Sequence, residues 1–190
     1  INTLPEVEPD RVRIAPERSA AEGLELLLRG SLGPRLGWWL TYAYSRAEDR
    51  IAGRDTARRF DQPHALTLSL NVPTGAHWNL NFAWRAHTGW PTTPVTARTV
   101  EEEGETVVVP VLGKARSERL APYHRLDLRA SRSFRVRAGE LVVFFDVQNV
   151  YDRKNVAGFD LGIDEESGAL LLPEEHWPGI FPSVGVSWEF

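Results

Sequence analysis

Five histidines, His64, His77, His87, His124 and His176, are the side chains best suited to acid–base or metal chemistry in this sequence. None stands at the short spacing of a metal motif from another. His87 and His124 come near each other only if they close adjacent strand ends, and a solvated or hydrogen-bonded imidazole is the plainer reading of each. Asp160, Asp164, Glu165 and Glu166 form an acidic run, but their spacing and the glycine position do not fit a calcium loop. Ser131 and Ser133 with His124 are the one set that pairs a nucleophile with a base. No Gly-x-Ser-x-Gly elbow and no phosphate-cradling glycine loop accompanies them. Cysteine is absent, which removes thiolate ligands and disulfides. The chain is expected to be no enzyme, to hold no metal and to need no cofactor.

Another set of polar residues is more informative because of its period. Asn79, Asn81, Arg85, Arg125, Asp127, Arg129, Asp146 and Gln148 alternate with apolar neighbours, as residues on one face of a strand do. Such side chains need an aqueous surface, since an arginine or lysine facing lipid at a bilayer midplane costs about 2–4 kcal/mol. Trp90, Arg98, Lys114, Arg116 and Arg119 fall instead in a polar connection, where they can meet an anionic solute. Glu101, Glu102, Glu103 and Glu105 in the same connection weaken simple anion attraction.

The elements that must hold these residues are strands. Seven stretches alternate with period two: 23–30, 37–45, 64–72, 78–87, 123–134, 140–150 and 181–190. The third is the clearest, with Leu66, Leu68, Leu70 and Val72 against Thr67, Ser69 and Asn71. Val142 and Phe144 blur the polar side of the sixth. Connections after the first, third and fifth stretches are short, and those after the second, fourth and sixth are long. Val107–Val111 reads as a hairpin strand within the fourth-to-fifth connection. The fold class is all-β.

A net charge of −4 and a pI near 5.8 argue against a nucleic-acid binder built on a basic field. No apolar run is long enough for a membrane helix, but strands of about 9–11 residues suit a transmembrane barrel. Aromatic rings concentrate at two levels. Trp38, Trp39, Trp78, Phe134, Trp188 and Phe190 lie near the short turns, and Tyr44, Trp90, Tyr123, Tyr151 and Phe181 near the long connections. Rings at two levels suit the two interfaces of a bilayer.

From Tyr123-His124-Arg125-Leu126-Asp127-Leu128-Arg129 through the 142–155 segment the sequence resembles the C-terminal β-barrel region of TonB-dependent outer-membrane receptors. Phe60-Asp61-Gln62-Pro63-His64, Thr88-Gly89-Trp90-Pro91 and the last ten residues, Phe181–Phe190, are similar to the same family. The resemblance implies part of a 22-stranded barrel in the outer membrane of a Gram-negative-type bacterium. It implies uptake of a scarce solute, such as a ferric siderophore or cobalamin, energised through TonB. Implied partners are outer-membrane lipid, the plug domain and remaining strands of the receptor, TonB through that plug, and the β-barrel assembly machinery. Val184, Val186, Trp188 and Phe190 resemble the signal that this machinery reads.

No plug or TonB box is present, and the chain begins at Ile1 with no methionine, so it reads as the final seven strands of a receptor. Residues 1–22 are expected in an external loop and 23–190 in the barrel. Alone, the polypeptide is expected not to form a monodisperse barrel, because two strand edges stay unpaired. The alternatives are a complete eight-stranded barrel with a structural or adhesive role and a soluble β-sandwich binding module.

Overall fold

A computed structural model describes residues 15–33, 35–102, 105–164 and 169–190 of the chain. Residues 1–14 of the expected external segment, Glu103, Glu165 and Glu166 lie outside the described residues, as do the side chains of Glu102, Glu105 and Val107. Seven long strands carry the architecture: β1 (Arg18–Leu32), β2 (Leu36–Ile51), β3 (His64–Thr74), β4 (Trp78–His87), β5 (Tyr123–Val136), β6 (Gly139–Gln148) and β7 (Phe181–Glu189). They pair antiparallel in chain order, an up-and-down meander in which β1 and β7 are the two edges. The sheet therefore does not close. No helix occurs among the described residues.

Register explains why these sequences choose this arrangement. One cross-strand row runs Gly30, Trp38, Leu70, Phe82, Leu128, Val147, Pro182. The row beside it runs Ser31, Gly37, Asn71, Asn81, Arg129, Asp146, Ser183. Because side chains alternate with period two, a slip of one residue in any pair would mix the two rows. The pairing keeps one apolar and one largely polar face across all seven strands.

The apolar face is not covered. Leu24, Phe145, Val184 and Val186 are 69%, 51%, 74% and 62% exposed. Among the described residues the only buried hydrophobic side chain is Leu120. The accessible surface is 14206 Å2, against about 9,100 Å2 for a compact monomer of this mass. The described residues thus form mainly one layer, without the second packed sheet that a sandwich requires.

All three short turns lie at one end of the sheet. Gly33 and Gly75 supply positive φ in two of them, 65° and 69°. The long connections gather at the other end and contain small strands of their own. Arg54–Ala57 pairs with the tip of β2, and Val95–Glu102 with Glu105–Leu112 forms a tall hairpin. Three further short pairs are Pro91–Thr92 with Glu118–Arg119, Val156–Phe159 with Glu174–His176, and Gly162–Ile163 with Leu170–Leu171.

Several expectations are corrected by these bounds. The first strand begins at Arg18 rather than Gly23, so residues 18–22 are strand and not loop. They pair with Arg46–Arg50 and the ladder continues because β2 itself runs to Ile51. The sixth strand stops at Gln148, since Asn149 turns the chain with φ 51°. The hairpin in the fourth-to-fifth connection is longer than Val107–Val111. His87 and His124 sit on opposite faces, opposite Tyr123 and Ala86 respectively. Trp39, Tyr123 and Phe181 lie on the polar face, because parity and not level along the strand decides which side a ring takes.

Candidate functional site

Apart from Leu120, the buried side chains among the described residues are polar, and all but that of the mid-strand Ser69 sit where the long connections leave the sheet. Asp61, Ser69, Asn149 and Asn155 are each 5% exposed or less. β2 exchanges partners between Tyr44, opposite His64, and Glu48, opposite Ala57, which interrupts the ladder over residues 45–47. Backbone groups left in that gap need other partners. Ser45 N–H donates to Pro63 O at 3.1 Å, Arg58 N–H to Ala47 O at 2.8 Å, and Ala47 N–H to Asp61 Oδ1 at 2.7 Å. Asp61 Oδ2 takes Arg119 Nη2, and Arg119 Nη1 reaches Asp61 O at 2.9 Å and Gly89 O at 3.2 Å. One arginine from the second long connection therefore holds the first.

Gly89 is at the centre of this grip. A Cβ there would lie 1.8 Å from Leu120 O, so only glycine lets the two strands of the connection approach. Leu120 N–H donates to Trp90 O at 2.9 Å. The Trp90 ring meets Phe60 at 5.3 Å and Trp177 at 5.9 Å, both edge-on, so rings from all three long connections touch.

The third connection is held by the turn after β6. Asn149 Nδ2 donates to Arg153 O at 2.9 Å and its Oδ1 accepts Arg153 N–H at 3.1 Å. Asn149 N–H donates to Asp127 Oδ1 at 3.1 Å. Asn155 bonds both backbone groups of His124, at 3.0 Å each, and Asp152 Oδ1 accepts Ile180 N–H at 2.9 Å. Partial burial pushes the Tyr151 phenol above its ordinary value. The hydroxyl shares a 2.7 Å hydrogen bond with His124 Nδ1.

On the polar face, all eight alternating residues share one surface. Arg129 grips Asp146 through both nitrogens of its fork, with Nη2 to Oδ2 at 2.8 Å, and its guanidinium lies 4.4 Å from the centre of the Phe144 ring. Asp127 lies 3.0 Å from Arg125 and 3.6 Å from Arg85, and Arg125 Nη1 donates to Gln148 Oε1 at 3.2 Å. Asn79 Nδ2 donates to Asn71 Oδ1 at 2.7 Å. Among the described residues Asn79 Oδ1 and Arg125 Nε are shielded and meet no protein partner, an unmet acceptor and donor beneath the polar surface. Three arginines against two aspartates make this patch mildly cationic. The blurred polarity of β6 is explained here, because the Phe144 ring covers Gly185 on the neighbouring strand.

The five loop residues divide. Arg116 and Arg119 are committed to the protein, Arg116 through Nη1 to Ala57 O at 3.1 Å and its N–H to Thr93 Oγ1 at 3.0 Å. Trp90 is half-buried in the ring cluster, whereas Arg98 and Lys114 are exposed. Val184, Val186, Trp188 and Phe190 line the exposed side of the last edge strand, with Phe190 98% exposed. Sequence reasoning missed Asp61, Asn149 and Asn155 as structural centres. It also missed Arg132, which stands on the apolar face near the short turns with its guanidinium 5.4 Å from the Trp78 ring and 4.9 Å from Phe134. A polar residue at an apolar parity position was the available signal. Among the described residues no three His, Cys, Asp or Glu side chains gather closely enough to hold a metal ion.

The fold defines an all-β protein whose main sheet is an open antiparallel meander with unlike faces. No protein-family model matches the chain, and no curated protein matches it.

Proposed function

We propose that this chain forms the closing wall and external loops of a TonB-dependent outer-membrane receptor, a 22-stranded barrel that takes up a scarce solute such as a ferric siderophore or cobalamin. The observation that carries the reading is the continuous, uncovered apolar face over seven strands. In water such a face is a severe liability, while in hydrocarbon it is the natural exterior of a barrel. The edges β1 and β7 then pair with the remaining strands, and the polar face lines the interior. Arg132 near the short turns fits the level where a long cationic side chain reaches headgroups.

Strand length supports the same orientation. Crossing takes about 9–11 residues, and the excess of β1 and β2 lies wholly at the long-connection end. There Arg46 meets Glu48 at 2.8 Å and Asp49 meets Arg58 at 3.1 Å, charges suited to water outside the membrane. Solute capture falls to the long connections, and β7 with Phe190 is the strand that the assembly machinery engages.

The chain has no cysteine, so a cysteine introduced into it is its one thiol, and the unsubstituted full-length protein is the labelling control. In intact cells expressing the full-length protein, a membrane-impermeant maleimide labels Lys114→Cys. Ala76→Cys labels only after the outer membrane is permeabilised. Equal labelling of both, or recovery of the protein in the soluble fraction, overturns the reading.

A further inference from the structure

Between two of the long connections lies a cavity of about 330 Å3, at the small end of the range for ligand sites. Pro94, Val95 and Leu112 form one wall, from the base of the tall hairpin, and Phe159, Leu161 and Leu172 form the other. Both walls are apolar and partly solvent-exposed, with Phe159 45% and Leu172 37% exposed. The walls belong to separate connections, so the cavity exists only when both are folded against each other.

One charge stands on its lining, Glu118. Among the described residues no hydrogen bond or ion pair engages its carboxylate. Thr93, also on the lining, already accepts the Arg116 N–H. The cationic neighbours Arg116 and Arg119 direct their guanidinium protons to Ala57, Asp61 and Gly89. An apolar slot beside a carboxylate without a partner selects by sign as well as by shape, since a second carboxylate there meets repulsion and an ammonium meets attraction.

We propose that this cavity binds the apolar body of an organic cation, a ring or short hydrocarbon carrying an amine, with the amine at Glu118. Shape complementarity comes from the six apolar side chains and the sign preference from Glu118. The inference goes beyond the receptor reading, because the cavity lies wholly in the connections and needs no membrane.

Tryptamine and indole-3-propionate share one ring and differ in the sign of the tail, so they make a matched pair of probes. Saturation-transfer NMR titrations use the full-length protein and its variants in identical medium, so that any uptake by detergent is common to all. A probe of about twelve non-hydrogen atoms is expected to bind with a dissociation constant on the order of millimolar. Tryptamine is expected to bind the protein about fivefold more tightly than the propionate, the size of an exposed ion pair. Glu118→Gln is a surface change that spares the fold, and it brings the two probes within about twofold of each other. Leu161→Trp and, independently, Leu172→Trp fill the slot and weaken tryptamine at least about fivefold.

Equal affinity for the two probes, a preference that survives Glu118→Gln, or tryptamine binding untouched by both filling variants overturns the proposal. Probe binding by a protein found outside the membrane refutes only the receptor reading. A correctly inserted receptor without saturable binding refutes only this one.

Discussion

Removing the Asp61 carboxylate tests whether buried polar locks, and not an apolar interior, hold the long connections. Asp61→Ala strips the Ala47 N–H of its 2.7 Å acceptor and the Arg119 guanidinium of its counter-charge. A hydrogen bond to a charged group contributes about 1.5–3 kcal/mol. Arg119 is 35% exposed and keeps its bonds to Asp61 O and Gly89 O, which places each loss at the lower end. The lock is therefore expected to weaken by about 3 kcal/mol, roughly a hundredfold in the opening equilibrium. Amide hydrogen exchange in the full-length protein reads this directly, with the Ala47, Asp61 and Leu120 amides exchanging faster and mid-sheet amides such as Leu68 unchanged. Asp61→Asn retains an acceptor and loses only the charge, so about a tenfold effect is expected. A double-mutant cycle with Arg119→Ala is expected to show a coupling of about 1–3 kcal/mol. Exchange at Ala47 within twofold of the parent in Asp61→Ala, or strict additivity in the cycle, refutes the reasoning.

Other outcomes follow from the same geometry. Asn149→Ala removes three hydrogen bonds made by a side chain that is buried and stands at φ 51°, and it is expected to cost about 2–3 kcal/mol; limited proteolysis checks this through faster cleavage within 150–155. Gly89→Ala places a methyl 1.8 Å from rigid backbone at Leu120 and is expected to destabilise by about 1–3 kcal/mol, seen as a lower denaturant midpoint with Gly89→Ser behaving alike. The Asp49 carboxyl is held below the ordinary 3.8, first by the Ser19 hydroxyl and then by Arg58. A depressed folded value means that its contribution is present above pH about 3.8 and disappears as pH falls through the lower, folded value. A carbon NMR titration is expected to show that depression, and Ser19→Ala to move the midpoint back upward; an unchanged midpoint contradicts the assignment.

How much of this was legible in the sequence depended on the competing forces at each place. Leu66 to Val72 could be read at once, because alternation there is complete and keeping the apolar residues on one face permits only one register. The eight polar residues from Asn79 to Gln148 followed from the same parity. Arg46–Ile51 was opaque, since charged residues standing in water carry no hydrophobic period although their backbone continues the ladder. Arg119 and Arg116 read as ligand contacts because nothing local in the sequence reveals partners such as Asp61 and Ala57, more than fifty positions away. Asn149 read as the end of the sixth strand and Asn155 as part of the long connection after it, and their burial became visible only once β5, β6 and the 176–180 segment met around them. Phe144 looked like a blemish in alternation until Gly185 was found beneath its ring.

The position of the locks has a consequence for how this protein can change. Asp61, Gly89, Arg119, Asn149 and Asn155 all hold the first or last few residues of a connection, close to the sheet. The distal parts, the far half of the 95–112 hairpin and the strands around 162–171, take no part in those bonds. Insertions, deletions and replacements there are therefore expected to leave the frame undisturbed, much as a tool head is changed on a fixed handle. Grafting a foreign segment between Ala97 and Pro110, a cross-strand pair of that hairpin, is the place to begin engineering a new recognition surface.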